Sequence, residues 1–174
     1  MPEFNSNLWA PWRMEYIRSM EEEEREDGCF ICRYVRTPEQ DAEHHVVMRG
    51  AHCLVLLNRF PYTNGHLLIA VNRHVGDPEQ FSEPEMHEMS ALTFRFAGIL
   101  RRAVNAHGFN IGVNLGRCAG AGLPDHMHTH IVPRWNGDTN YMAVTGGVRV
   151  IPDALDAVYD QLVKLAVELG LRAP

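Results

Sequence analysis

Three histidines that alternate with other residues are the strongest chemical signal in this sequence. His126, His128 and His130 lie within residues 125–134. Because successive side chains of a strand point to opposite faces, a strand here would present all three imidazoles on one face, about 6.5–7 Å apart. A neutral imidazole, whose free pKa is about 6.5, can attack phosphorus and divide one difficult displacement into two easier steps. Imidazoles placed in this way are chemically suited to nucleophilic attack on phosphorus. A surface histidine cluster that traps metal is the simpler alternative, but the flanking residues are apolar.

A glycine-rich loop comes just before these histidines and contains Gly116, Gly120 and Gly122. The oxygens of a reacting phosphoryl group gain negative charge and need hydrogen-bond donors. Backbone N–H groups of such a loop can supply them. The same glycines would also suit an ordinary turn, so the loop supports the prediction without proving it.

Hydrophobic patterning places the histidines in a domain of mixed secondary structure. The predicted strands cover residues 45–49, 52–58, 66–71, 109–115 and 126–132, and Pro133 ends the last of them. Helices are predicted over 84–108, with Met86 and Met89 in its core face, and over 152–170; each opens with a proline, which suits a first helical turn. Residues 28–36 are predicted to form a turn. The order β-β-β-α-β-β predicts an antiparallel α+β domain.

The chain of 174 residues predicts one domain with extensions at both ends. We divide it into a leader over 1–27, a central domain over 28–140 and a C-terminal extension with a helix over 141–174. The leader holds two tryptophans and a tyrosine within 8–16, which we expect to pack on the domain or on a partner subunit. No apolar run reaches the roughly 18 residues of a membrane span, and the N-terminus does not resemble a signal peptide. These features predict a cytoplasmic protein with no membrane partner.

The formal net charge of −6 makes long nucleic acid an unfavourable partner, because such binding depends on Lys and Arg neutralising phosphates. A small phosphorylated ligand remains compatible with this charge, since a pocket can bind it through backbone N–H groups.

Two of the four cysteines have the spacing of a metal site. Cys29 and Cys32 are separated by two residues, as in zinc sites that use thiolates from one turn. A tetrahedral zinc ion needs two further N or S ligands from elsewhere in the chain. Histidines 44, 45 and 52 are alternative ligands, although each also fits an ordinary surface or strand position. The two thiols could instead be buried cysteines or a redox pair.

The segment His-x-His-x-His-x-x-Pro-Arg at 126–134 resembles the signature of the histidine-triad superfamily. Upstream, residues 58–61 (Asn-Arg-Phe-Pro) and 65–69 (Gly-His-Leu-Leu-Ile) resemble the nucleotide-binding strand pair of that family. The resemblance extends from about Cys29 to Asp138. Together with the leader, it is similar to the microbial branch related to diadenosine tetraphosphate phosphorylases and fragile-histidine-triad hydrolases.

The resemblance implies a fold, a homodimer and a set of roles. The implied fold is a five-stranded antiparallel sheet with helices, paired into a dimer with a ten-stranded sheet. In the implied site, His128 is the nucleophile that forms a nucleotidyl-imidazole intermediate, and His130 contacts the phosphate and the leaving group. His126 and His66 are supporting catalytic residues. The implied nucleotide contacts are Asn58 at the ribose, Leu56 and Leu68 around the base, and Asn114, Gly120 and Gly122 near the phosphates. In zinc-bearing relatives the histidines at the positions of His74 and His126 complete a structural site with Cys29 and Cys32.

One departure from the family pattern leaves the acceptor open. Many members carry a glutamine shortly before the triad, whereas residues 119–124 contain none. The second step could therefore use water or phosphate. The resemblance implies cleavage of dinucleoside polyphosphates. The alternatives are a nucleoside phosphoramidate hydrolase, a zinc hydrolase whose triad holds a catalytic metal, and a nucleotide sensor with little turnover.

Overall fold

The structure, a computed structural model, describes residues 28–138 and 154–173. The predictions for the leader and for the start of the last helix at Pro152 lie outside these residues. The helices and strands are α1 (Phe30–Arg36), β1 (Val46–Arg49), β2 (Cys53–Leu57), β3 (Leu67–Val71), α2 (Glu83–Val104), β4 (Gly108–Val113), β5 (His128–Arg134) and α3 (Leu155–Glu168). In the described part of the chain, no helix has both the length and the apolar character that crossing a membrane requires.

The five strands form one antiparallel sheet in the order β1-β2-β3-β5-β4. This confirms the predicted α+β class and the five-stranded sheet. Strands β2 and β3 are buried along their whole length, which explains why their sequences are continuously apolar instead of alternating. One face of the sheet packs against α2 and α3 through residues that include Ile69, Phe96 and Leu162. The other face packs against α1 and carries the histidines.

Residues 28–36 are not the predicted turn, because helix α1 occupies Phe30–Arg36. Ile31 and Tyr34 lie three residues apart on this short helix and are both buried against the sheet. Packing of this one face stabilises a helix that is too short to persist by itself. The predicted core position Met86 is also wrong, since its side chain is half exposed while Met89 is buried.

Strand β5 begins and ends two residues later than predicted, at His128 and Arg134. It therefore passes through Pro133, which lacks an N–H for the ladder. The Pro133 carbonyl accepts a hydrogen bond from the Thr63 hydroxyl at 3.0 Å, on the side where pairing with β3 has already ended at Ile131. A proline is tolerated there because its nitrogen faces no strand on that side.

The two edges of the sheet differ. At the β1 edge, the Arg172 guanidinium donates to the carbonyl oxygens of Val46 and Val47 at 2.6 and 2.9 Å, and the Tyr159 hydroxyl also donates to Val46. At the β4 edge, the apolar side chains of Ile111 and Val113 are exposed. Residues from the C-terminal part of the chain therefore cover one edge, whereas β4 presents an apolar edge to its surroundings.

Helix α2 begins with a charged cap that the sequence analysis did not identify. The Glu85 carboxylate accepts hydrogen bonds from the Ser82 N–H and hydroxyl at 2.8 and 2.9 Å. It also accepts two from the Arg73 guanidinium, at 3.0 and 2.8 Å. The Arg73 hydrogen bond is the largest cause that lowers the pKa of Glu85, from 4.5 to about 2. The cap connects the start of α2 to the segment that follows β3.

We predict that Glu85→Gln lowers the free energy of unfolding at pH 7 by about 1–2 kcal/mol, because the cap and its charge-assisted hydrogen bonds are weakened. The folded-state pKa lies below the unfolded one, so this stabilisation is present above pH 4.5 and is lost as the pH falls towards about 2. Urea unfolding at pH 7, 4 and 2.5 should show the difference between wild type and variant shrinking. Glu83→Gln, in the same first turn but exposed, is the matched control. An equal loss in both variants would attribute the effect to helix-dipole charge alone.

Candidate nucleotide and metal site

His128 is oriented by the backbone two residues before it. Its Nδ1 lies 2.9 Å from the carbonyl oxygen of His126, so Nδ1–H donates to that oxygen. The proton is therefore on Nδ1, and the lone pair of Nε2 is available for attack. Burial lowers the pKa of His128, which favours the neutral ring. The side chain lines a cavity of about 500 Å³ on the α1 face of the sheet.

A chain of hydrogen bonds determines which nitrogen of His130 carries its proton. The backbone N–H of Tyr62 donates to His66 Nδ1 at 3.1 Å, so the proton of the neutral His66 ring lies on Nε2. His66 Nε2 is 3.0 Å from His130 Nδ1 and donates to it. His130 consequently carries its proton on Nε2 and presents a donor. The Asn114 side chain lies beside this atom, with Nδ2 3.5 Å away; because both nitrogens are donors in this tautomer, they do not hydrogen-bond to each other.

The two imidazole rings in this chain of hydrogen bonds, His66 and His130, are neutral near pH 7. Burial is the main cause that lowers the pKa of His66 to about 3, and neighbouring histidines contribute. Burial likewise lowers the pKa of His130 to about 4. The site can therefore combine an uncharged nucleophile with an uncharged N–H donor, which suits attack on a phosphorus atom surrounded by anionic oxygens.

The structure brings the predicted nucleotide-binding residues into one cavity. Its lining includes the two downstream histidines and all six predicted nucleotide contacts: His128, His130, Asn58, Leu56, Leu68, Asn114, Gly120 and Gly122. Leu68 pairs with His130 across β3 and β5, and Leu56 pairs with Leu68, so an apolar floor extends sideways from the histidines. His66 is fully buried behind them.

The cavity is also lined by residues that the sequence analysis did not assign to the nucleotide site, among them Phe30, Tyr34 and His44. The rings of Tyr34 and His44 are stacked, with centroids 4.0 Å apart. These side chains come from α1 and the loop before β1, above the apolar floor. No periodic pattern identifies the two α1 residues, because this helix is only seven residues long.

His126 is separated from the other two triad histidines. It precedes β5, and its ring contacts His74 with centroids 5.3 Å apart instead of continuing the row of His128 and His130. The prediction that one strand carries all three histidines is therefore wrong at His126, which lies two residues before β5. Its contribution to the cavity is the backbone carbonyl that orients His128, while its ring belongs to a second cluster.

That second cluster unites Cys29, Cys32, His74 and His126, whose ligand atoms all lie within 4.8 Å of one another. Cys29 Sγ is 3.2 Å from His126 Nδ1, and Cys32 Sγ is 3.3 Å from His74 Nδ1. His126 Nε2 donates to the carbonyl oxygen of Val71 at 2.6 Å, which leaves a lone pair on the Nδ1 that faces the thiols. Two thiols, two imidazole nitrogens and this outer hydrogen bond fit a tetrahedral metal site.

The alternative histidine ligands lie elsewhere. His44 stacks on Tyr34, and His45 Nε2 is 2.7 Å from an Asp156 carboxylate oxygen. His52 is not part of the four-residue cluster found in the described part of the chain. The four cysteines are free thiols.

The segment before β5 is held closely against the residues that follow β3. The Met127 N–H donates to the Val75 carbonyl oxygen at 2.8 Å. Next to it, a Cβ on Gly76 would come within 2.3 Å of the Pro124 carbonyl oxygen, so only glycine allows this backbone approach. Gly76 is a positioning residue that sequence reasoning missed, since an isolated glycine after a strand has many explanations.

Comparisons with known proteins agree with this arrangement. Residues 39–137 match the HIT domain family. A Mycobacterium tuberculosis protein named AP-4-A phosphorylase is 36% identical over 151 residues, which cover 85% of this chain and 77% of the relative. A zinc-bound histidine triad family protein from Mycobacterium smegmatis has a TM-score of 0.66 at 28% identity, over 82% of this chain and 95% of that one. The Plasmodium falciparum diadenosine triphosphate hydrolase shares the fold, with a TM-score of 0.58 at 17% identity over 75% of this chain and 80% of that one.

Proposed function

The chain belongs to the HIT domain family, and from that premise we propose that it is an enzyme that cleaves dinucleoside polyphosphates through a nucleotidyl intermediate on His128. The observation that carries the proposal is the hydrogen bond from His128 Nδ1 to the His126 carbonyl, which leaves Nε2 as a nucleophile inside the cavity. The apolar floor of Leu56 and Leu68 would hold a base. Asn58, at the end of β2, would meet the ribose. The name of the Mycobacterium tuberculosis relative, AP-4-A phosphorylase, supports this substrate class.

In the first step, His128 Nε2 attacks the α-phosphorus. A P–N bond forms and the P–O bond to the rest of the phosphate chain breaks, so the leaving nucleotide departs with that electron pair. His130 Nε2–H donates to the oxygens that gain charge, at the phosphoryl group or at the leaving oxygen. Asn114, Gly120 and Gly122 line the same cavity, and the Asn114 side chain and the backbone of the two glycines would bind the remaining phosphate oxygens.

In the second step, an acceptor oxygen attacks the same phosphorus and the electron pair of the P–N bond returns to Nε2. Phosphate as acceptor releases a nucleoside diphosphate, whereas water releases a nucleoside monophosphate and a proton. The sequence lacks the family glutamine before the triad, and the name of the Mycobacterium tuberculosis relative supports phosphate. We therefore propose phosphorolysis as the reaction.

Product analysis tests the reaction. With diadenosine tetraphosphate, we expect ATP and ADP only when inorganic phosphate is present. ATP and AMP without phosphate would show a hydrolase and overturn phosphorolysis.

His128→Ala should lower turnover by at least about 10⁴-fold, because the covalent route is removed, while His128→Asn should still bind the nucleotide. Normal turnover in either variant would exclude His128 as the nucleophile. Turnover of nucleoside phosphoramidates alone, or binding without any turnover, would support the alternative enzyme or the sensor.

We also propose that the cluster of Cys29, Cys32, His74 and His126 binds a structural zinc ion. The donor set favours zinc, and the related Mycobacterium smegmatis structure is zinc-bound. All four ligands would come from the protein, which closes the site and leaves no position for a substrate. The ion would connect the start of α1 to the segment before β5.

Metal analysis of Cys32→Ser and His74→Asn tests the zinc site. We expect wild type to contain about one zinc per chain and both variants to contain almost none. Loss of the cross-link should lower Tm by at least about 5 °C. Cys118→Ser, at an exposed cysteine outside the cluster, is the matched control. Full zinc content in both ligand variants would refute the site. Zinc-dependent turnover in a protein that is still folded after chelation would instead favour a catalytic metal.

The homodimer stays a proposal, supported by the contrast between the two sheet edges. Arg172 and Tyr159 cover the β1 edge, while β4 presents Ile111 and Val113. Pairing of two β4 strands would extend the sheet to ten strands. Sedimentation should give about twice the 19.7 kDa chain mass, and Ile111→Lys should shift the population towards monomer. A monomer at micromolar concentration would contradict the proposal.

A further inference from the structure

We propose that Phe60 and Tyr62 form a binding site for the second nucleoside of the substrate, the one that departs with the leaving nucleotide. We call these two residues the aromatic rim. The inference rests on the proposed function and adds a subsite to it. The rim belongs to the loop between β2 and β3 and lines the same cavity as His128.

Tyr62 of the rim continues the row of catalytic rings. The His128 and His130 centroids are 4.9 Å apart, and the Tyr62 ring is stacked on His130 with a centroid distance of 5.9 Å and an interplanar angle of 22°. In an in-line displacement the leaving oxygen lies opposite the attacking His128 Nε2. A phosphate chain that leaves over His130 therefore passes next over Tyr62.

The first nucleoside extends in a different direction. Leu68 and Leu56 lie on successive strands beside His130, at about 4.8 Å per strand, so a base on this floor extends across the sheet. The rim instead lies beyond His130 along the strand direction, in the loop that connects the end of β2 at Leu57 to the start of β3 at Leu67. The two nucleosides of one substrate consequently diverge from the reacting phosphorus and do not compete for the same surface.

The rim is exposed but its backbone is fixed. Phe60 and Tyr62 are 42% and 41% exposed. The Phe60 N–H donates to Asn58 Oδ1 at 2.9 Å, and the Tyr62 N–H donates to His66 Nδ1. The Thr63 hydroxyl anchors the following residue to Pro133. Aromatic rings on a fixed backbone can stack on a base at a small cost in conformational entropy.

Stacking on an aromatic face does not depend on the identity of the base, because every base has a π-face. The rim therefore selects dinucleoside polyphosphates over mononucleotides without selecting the second base. The rim stabilises the bound substrate and the transition state equally, so removal of a rim residue should raise KM more than it lowers kcat.

A pair of substrates with the same phosphate chain tests the rim. Diadenosine tetraphosphate carries the second nucleoside, and adenosine 5′-tetraphosphate lacks it. For Phe60→Ala, we expect kcat/KM for diadenosine tetraphosphate to fall at least about fivefold more than kcat/KM for adenosine 5′-tetraphosphate, mainly through KM. Phe94→Ala, at a ring that is 70% exposed on α2 and outside this cavity, should leave the ratio of the two substrates unchanged. An equal fall for both substrates in Phe60→Ala would overturn the inference.

Binding separates failure of the rim from failure of the proposed function. Calorimetry on His128→Asn, with and without Phe60→Ala, measures both tetraphosphates without turnover. Suppose that wild type cleaves neither compound, that His128→Asn binds diadenosine tetraphosphate more tightly than adenosine 5′-tetraphosphate, and that adding Phe60→Ala removes this difference in affinity. The rim is then supported and the proposed reaction is refuted. If wild type cleaves diadenosine tetraphosphate and Phe60→Ala leaves the preference unchanged, the reaction stands and the rim is refuted. If His128→Asn shows no preference between the two compounds, the rim is also refuted.

Discussion

The hydrogen bond between His128 Nδ1 and the carbonyl oxygen of His126 determines which atom of His128 can act as a nucleophile, because it leaves the lone pair of Nε2 available. The carbonyl can orient His128 only if His126 itself is fixed. Its ring is fully buried, donates to Val71 and faces the thiols of Cys29 and Cys32. The same residue thus contributes its side chain to the Cys/His cluster and its backbone carbonyl to the cavity. The close approach of Gly76 to residues 124–125 depends on the same arrangement.

The two faces of the sheet have different roles: one packs against α2 and α3 in the main core, and the other carries the histidines of the cavity. Its α2–α3 face is mainly apolar, with buried residues such as Phe96 and Leu162. Its α1 face is apolar beneath the predicted base and polar at β5, where His128 and His130 lie. Alternation along β5 produces this division, because Thr129 and Ile131 face the helices while the histidines face the cavity. The reactive groups can therefore stay neutral and partly buried without interrupting the main core.

Patterns along single segments predicted the five strands and the long helix, and a specific motif included the two histidines that line the cavity, His128 and His130. The failures have a common physical cause. Helix α1 is too short for periodicity to reveal and is stabilised by tertiary packing of Ile31 and Tyr34. The ring of His126 leaves the row because its partners lie 94 and 97 residues earlier in the chain. The proton position on His130 depends on the Tyr62 N–H, a backbone contact that no side-chain pattern encodes.

The coverage of β1 by Arg172 has a consequence for the nascent chain. The Arg172 guanidinium, which donates a hydrogen bond to the Val46 carbonyl, lies 126 residues further along the sequence. At translation rates of about 5–20 residues per second, roughly 6–25 s separate synthesis of the strand from synthesis of its cover. During that interval β1 and the apolar β2 beside it have an edge that can pair with another chain. The protein should therefore be most vulnerable to aggregation on the ribosome, before α3 and Arg172 emerge, and much less so once folding is complete.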